Sequence, residues 1–232
     1  MSGGPYDPVR ADDPVCADVR VLVADDHDLY RVGLAALIED AQGMTVIAQA
    51  SGGRMAVRLA CALLPDVVLM DLAMPDLDGF QATREIVEQH PRIGVVALTV
   101  SDDEGTIDHA IRAGASGFLL KETPVDDVIA AVRAASVGAA WLAPSAAETV
   151  LGRLRRADED PKVGNGDLLR SLSIREREVL RLLAAGLENV AIAERLSVSP
   201  RTARNHVARI LQKLGVKNRV QAAVFAVRSR VD

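Results

Sequence analysis

Cysteine is nearly absent, with two in 232 residues. Cys16 falls in an acidic N-terminal stretch and Cys61 in a helix-like one, which leaves no basis for a disulfide framework or a cysteine metal site. Also missing is any apolar run approaching the ~20 residues of a membrane span. Residues 1–18 have neither the basic nor the apolar region of a signal peptide, so a cytoplasmic chain with no membrane partner is expected. Basic charge is scarce over residues 1–140, with 10 Lys and Arg against 22 Asp and Glu, a net −12. Residues 141–232 reverse the balance with 17 against 10, a net +7. The overall −5 therefore hides a basic C-terminal part, suited to a polyanion, attached to an acidic N-terminal one.

What the first half does contain is four short apolar runs, each ending on a polar group. Val21-Leu22-Val23-Ala24 runs into Asp25-Asp26, Val67-Val68-Leu69-Met70 into Asp71, Val95-Val96-Ala97-Leu98 into Thr99, and Phe118-Leu119-Leu120 into Lys121. Uninterrupted apolar runs separated by helix-like stretches read as parallel strands buried on both faces. Five alternations predict a (βα)5 doubly wound parallel α/β unit, with strands near 19–24, 44–50, 66–71, 93–98 and 117–120. Helices are expected near 28–40, 52–63, 78–89, 103–113 and 124–137. The second strand ends on no strong polar group, which fits a sheet edge in the order 2-1-3-4-5, with the switch point between strands one and three.

Open sheets of this kind bind ligands beyond the carboxyl ends of their strands. There, three carboxylates, a hydroxyl and an ammonium would meet. A phosphate is repelled by carboxylates unless a divalent cation intervenes, and a few hard oxygen donors favour Mg2+ over zinc. Asp25, Asp26 and Asp71 can supply that cation, Thr99 can donate to one phosphoryl oxygen, and Lys121 can place positive charge on another. An aspartate can itself be the nucleophile. Asp71 is the choice because it ends the central strand.

Residues 19–137 resemble the receiver domain of two-component response regulators. The resemblance is carried by Val23-Ala24-Asp25-Asp26-His27, by Leu69 through Gly79, by Ala97-Leu98-Thr99 and by Gly114 through Lys121. It implies Asp71 as phosphoacceptor for a sensor histidine kinase. It also implies Asp26, Asp71 and the backbone carbonyl of Ala73 as metal ligands, Asp25 acting through water, Thr99 and Lys121 as phosphoryl contacts, and Phe118 as the switch aromatic. Tyr is common where Phe118 stands, so a hydroxyl is lost from the switch. Such a domain accepts a phosphoryl group and slowly hydrolyses it, and is otherwise no enzyme. His27, beside the acidic pair, reads as solvent-facing or helix-capping.

Residues 138–170 read as a connecting helix, over 145–156, and a linker in which Pro161, Gly164 and Gly166 interrupt charged residues. Residues 171–232 then contain no strand-like run and four helical segments, a small all-α domain. Ser173 and Glu176 have capping-box spacing. Asn189–Leu196 and Pro200–Leu214, separated by Ser197-Val198-Ser199, make a helix-turn-helix with Ser199 as cap and Pro200 at the first helical position. The outer face of the second helix carries Arg201, Thr202, Arg204, Asn205, Arg209 and Lys213. In such a motif the early residues of this helix reach base edges and later ones meet phosphates, which makes Arg204 and Asn205 candidates for base or phosphate contact and Lys213 for phosphate.

Residues 171–228 resemble the LuxR-type helix-turn-helix of the NarL/FixJ class of response regulators. The carrying stretches are Leu172 through Leu180, Ile192 through Leu196, Ser199 through Val207, and Leu211 through Val216. Ala203 and Val190 depart from the usual Val and charged residue. The resemblance implies double-stranded DNA as partner, His206 as a phosphate or packing contact, and a homodimer, when active, through the last helix. That helix places Val220, Ala223, Val224 and Val227 on one side.

The expected function is a DNA-binding transcriptional response regulator switched by phosphorylation of Asp71. The opposite domain charges also allow the reader to dock on the receiver. Two rivals stand beside this. One is a phosphorylation-independent transcription factor whose receiver binds a ligand or partner. The other is a Mg-dependent phosphatase of the haloacid dehalogenase type, which needs a second Asp where this chain has Ala73.

Overall fold

In the computed structural model, residues 18–101, 103–142 and 165–229 are described. The expected N-terminal tail and most of the expected connecting helix and linker lie outside them. The first two stretches build a parallel sheet in the order β2-β1-β3-β4-β5-β6. Its strands are β1 (Val19–Ala24), β2 (Met44–Ala50), β3 (Val67–Asp71), β4 (Gly94–Thr99), β5 (Gly117–Leu120) and β6 (Trp141–Leu142). The connecting helices are α1 (Asp28–Asp40), α2 (Gly53–Leu63), α3 (Gly79–Gln89), α4 (Glu104–Ala113) and α5 (Val125–Ser136). The expected five-strand order is present, and β6 adds a two-residue sixth strand beside β5.

Successive strand residues point to opposite faces, and both faces are filled. Val21, Val23, Leu69, Val96 and Leu98 pack with Leu34 and Ile38 of α1 and Val128 and Val132 of α5. Leu22, Ala24, Val68, Met70 and Val95 pack on the other side with Ala56 and Ala60 of α2 and Ala82 and Ile86 of α3. That double burial is why the strands read as unbroken apolar runs. A Cβ at Gly79 would fall 2.0 Å from the Asp71 carbonyl oxygen, so a glycine is what lets α3 start this close to the end of β3.

The third stretch forms α6 (Asn165–Ser171), α7 (Ile174–Ala184), α8 (Asn189–Leu196), α9 (Pro200–Leu214) and α10 (Arg219–Arg228). Helix α6 is a correction, since residues 165–170 were expected to be linker. Ser173 caps α7 in a complete capping box: Ser173 Oγ accepts from Glu176 N, and Glu176 Oε2 accepts from Ser173 N. Ser199 caps α9 by accepting from Thr202 N, with Pro200 at the first helical position. Leu180, Leu183, Ile192, Leu196, Val207, Ile210 and Leu214 form a separate core.

The helical unit sits against the amino-terminal edge of the sheet, where the receiver helices end. Asn218 Nδ2 donates to Ile111 O (3.0 Å) and Ala115 O (2.8 Å) at the end of α4, and Gln221 Nε2 donates to Ile111 O (2.7 Å). Arg219 Nη1 donates to Gly138 O (2.7 Å) just past α5, and Asn189 Nδ2 donates to Val137 O. Arg204 Nη2 donates to Arg92 O (2.7 Å), and Lys217 Nζ pairs with Glu88 Oε1 at 2.6 Å. The last carbonyls of a helix lack intrahelical partners and carry partial negative charge. Ile111 O is such a carbonyl, shared with Gly114 N, and those of Arg92, Ala115, Val137 and Gly138 lie in the turns just beyond the helices, where cations and amide groups of the helical unit reach them. Val220 completes an apolar cluster with Leu72, Ala97, Ile107, Ile111 and Phe118.

Candidate phosphoacceptor site and DNA-reading face

At the opposite, carboxyl edge of the sheet the expected residues converge. Asp25 and Asp71 are buried, at 0% and 1% exposure, and share one cation. Lys121 Nζ lies 2.7 Å from Asp25 Oδ2 and 2.9 Å from Asp71 Oδ2. The loop backbone holds the remaining oxygens: Asp71 Oδ1 accepts from Ala73 N (3.2 Å), and Asp25 Oδ1 accepts from His27 N (2.8 Å). Burial raises the Asp71 carboxyl pKa and the Asp25 charge adds to it, against the hydrogen bonds from Lys121 and Ala73. For Lys121, burial alone would lower the ammonium pKa, but the hydrogen bonds and charges of Asp25 and Asp71 raise it.

Thr99 ends β4, nearly buried, and its Oγ1 accepts from Ser101 N (3.2 Å). Lys121 N donates to Thr99 O (2.7 Å), tying the ends of β4 and β5 together. Phe118 is inward and buried, in contact with the cluster under α4. His27 stands at the N-cap of α1 but makes no side-chain cap, and its Nδ1 sits 2.9 Å from Asp26 Oδ1. Tyr30 was missed by the sequence reading. Its ring lies 4.9 Å from Lys121 Nζ, and its hydroxyl donates to Lys121 O (3.2 Å), which fixes the backbone beneath the ammonium. A signal existed, since Tyr30 follows the acidic pair by one helical turn, but an aromatic there also reads as core.

The donor set fits a hard divalent cation. Ligand atoms of Asp25, Asp26, His27 and Asp71 lie within 4.8 Å of one another. Asp26 Oδ1 is buried without a hydrogen bond, its ionic contact being His27. Such an oxygen facing two further carboxylates wants a cation.

On the helical unit, Arg201 and Arg209 are exposed on α9, while Thr202, Arg204, Asn205 and His206 are half-buried. Thr202 Oγ1 shares a hydrogen bond with Ser199 Oγ. Lys213 Nζ is held by Glu176 Oε2 at 2.6 Å and donates to Ser171 O (3.2 Å), so it braces the capping box in this arrangement. Of the expected pairing residues, Val220 is buried against the receiver and Val227 is half exposed.

A parallel sheet with an acidic carboxyl edge, joined to a helix-turn-helix, defines the response regulators as a class. The family model described as "Response regulator receiver domain" matches residues 21–133, and "Bacterial regulatory proteins, luxR family" matches residues 170–226. The chain is 41% identical over 213 residues to the transcriptional regulatory protein LiaR of Bacillus subtilis (strain 168), covering 92% of this chain and 99% of that one. It is 34% identical over 213 residues to the nitrate/nitrite response regulator protein NarL of Escherichia coli (strain K12), covering 91% and 96%. Among solved structures, the response regulator ChrA of a heme-sensing two-component system matches with a TM-score of 0.50 and 34% identity, covering 93% of this chain and all of that one. The chain therefore belongs to the response regulators that join a receiver domain to a LuxR-type helix-turn-helix, and is a DNA-binding transcriptional regulator. Among the described residues no helix is long and apolar enough to cross a membrane.

Proposed function

We propose that this regulator is switched by phosphoryl transfer from a sensor histidine kinase to Asp71. An Asp71 carboxylate oxygen attacks the phosphorus of the kinase phosphohistidine. The N–P bond breaks, its electron pair returns to the imidazole, and an acyl phosphate is left on β3. Asp25, Asp26, Asp71 and the Ala73 carbonyl are the residues to hold Mg2+, which supplies charge neutralisation and alignment of the phosphoryl oxygens. Lys121, paired with Asp71 at 2.9 Å, transfers its positive charge to a phosphoryl oxygen, and the Thr99 hydroxyl donates to another. Attack of water on the same phosphorus later returns the carboxylate and inorganic phosphate.

The observation that carries this reading is the buried Asp71 carboxylate at the end of the central strand, braced by a lysine it shares with Asp25. Incubation with Mg2+ and acetyl phosphate, read by intact mass, tests it. The wild type gains one phosphoryl group and Asp71→Asn gains none. No gain on the wild type, or equal gain on the variant, sinks the proposal.

The output is reading of double-stranded DNA by residues 171–232, joined by residues 138–170 to the receiver at 19–137. Arg204 and Asn205 address base edges or phosphates, with Arg201, Thr202, His206, Arg209 and Lys213 on the backbone. Two copies pair through Val220, Ala223, Val224 and Val227, which suits half-sites ~10 bp apart. The docked arrangement is the resting state: Arg204 is spent on the Arg92 carbonyl, and Val220 is buried under α4.

A further inference from the structure

We propose that the cleft between the receiver and α9 binds a nucleoside polyphosphate, whose occupancy holds the protein in its docked, DNA-free arrangement. This rests on the reading of α9 as the DNA-facing helix. The cleft has a volume of about 960 Å3, within the range of small-ligand sites. Four arginines line it, Arg92 from the receiver and Arg201, Arg204 and Arg209 from α9, against one carboxylate among the described residues, Asp66. Asp66 is already engaged, its Oδ2 accepting from Arg20 N at 3.0 Å. Burial makes the Arg204 cation costly, Asp66 offsets this, and the Arg92 charge beside it adds to the cost. Arg92, Arg201 and Arg209 are exposed and the half-buried Arg204 donates to the Arg92 carbonyl, so the cleft wall concentrates positive charge that attracts an anion.

Two further features specify the anion. Helices α8 and α9 both begin on the cleft, at Asn189 and Pro200, so their amino-terminal dipoles add to the field that attracts phosphate. Asn189 is 2% exposed; its Nδ2 donates to Val137 O, while its Oδ1 is buried with no donor. Asn189 lines the cleft with a buried acceptor that has no donor, and an exocyclic amine of a nucleobase reaching that wall would supply one. Pro65, Pro91 and Ile93 supply an apolar wall on the receiver side. Side chains suited to DNA phosphates and base edges are thereby presented to a ligand of the same chemistry at the size of one nucleotide, with Arg92 as the added receiver contact.

The test is a titration of the full chain, without phosphodonor, using fluorescent mant-ATP, with inorganic tripolyphosphate as competitor. Saturable binding is expected, with tripolyphosphate the weaker ligand. Arg92→Ser should bind about tenfold more weakly, from loss of one charged contact. Arg92 is exposed and outside the proposed DNA contacts, so the variant keeps its fold and its affinity for a DNA duplex once phosphorylated. Absence of saturable binding overturns the proposal. So does binding unchanged in Arg92→Ser, which would put the nucleotide on the reader alone, or tripolyphosphate binding as tightly as mant-ATP. Loss of DNA binding by the phosphorylated wild type would instead overturn the DNA-reading assignment on which this rests.

Discussion

Replacing Asn218 by Asp should release the reader without phosphorylation. Asn218 does two separable things. Its Oδ1 accepts from Gln221 N (2.8 Å) and caps α10, while its Nδ2 donates to the carbonyls of Ile111 and Ala115 on the receiver. Asp is as good a cap as Asn, so α10 and the reader core should survive. The docking side is reversed, because a carboxylate then faces two carbonyl oxygens with no proton to give. Losing two hydrogen bonds costs about 1 kcal/mol each, and leaving buried groups unsatisfied adds about 1 kcal/mol or more. A total of about 3 kcal/mol moves the docked-to-free ratio by roughly a hundredfold. The assay is binding of the unphosphorylated protein to a DNA duplex at low salt, together with hydrogen exchange of the amides at the end of α4. Tighter DNA binding and faster exchange are expected at pH 8, where the new carboxylate is ionised. A folded Asn218→Asp protein with unchanged DNA affinity and unchanged protection would refute the clasp.

Two other outcomes follow from the sites. Mg2+ should raise the melting temperature of the receiver by mass action, and Asp26→Asn should abolish that rise while leaving the metal-free protein folded, measured by calorimetry with and without chelator. Glu176→Gln should destabilise the reader by about 1–2 kcal/mol at neutral pH through loss of the charged bond from Lys213. Burial would raise the Glu176 pKa, but the bonds from Lys213 and Ser173 lower it overall. A depressed carboxylate stabilises above its unfolded pKa, and that stability is lost as pH falls through the folded one. The difference between Glu176 and Gln should therefore shrink on acidification, and a gap that persists in acid would contradict it.

Much of this was legible because burial leaves a periodic trace. Strands buried on both faces appear as apolar runs, and the residue ending each run is carried to one edge by parallel pairing, so Asp25, Asp71, Thr99 and Lys121 could be assembled before any coordinates. Ser173 with Glu176, and Ser199 with Pro200, marked the helix starts through cap chemistry. Strand β6 left no trace, since two residues have no period. Helix α6 was hidden by the Gly and Pro residues around it. The opposite charges allowed docking without requiring it, and among the described residues the ion pair of Lys217 with Glu88 is of that kind. Most of the contact runs instead to backbone carbonyls at the ends of α4 and α5, which any side chain could precede, and Arg92 even stands beside Arg204. Sequence does not reveal which carbonyls a neighbouring domain will find.

Val220 has one side chain and two claims on it. While it fills the cluster shared with Phe118 it cannot sit in a seam between two copies of α10. In the proposed pairing through α10, docking and dimerisation draw on the same apolar surface, so a copy with Val220 docked is not free to pair. On that proposal concentration enters as an input alongside phosphorylation, since raising the amount of protein favours the paired form at the expense of the docked one. Under the proposed switch, a cell that makes more of this regulator would need less phosphorylation for a given response, with a threshold set jointly by Val220 beneath α4 and by the hydrogen bonds of Asn218, Arg219 and Gln221 to the receiver.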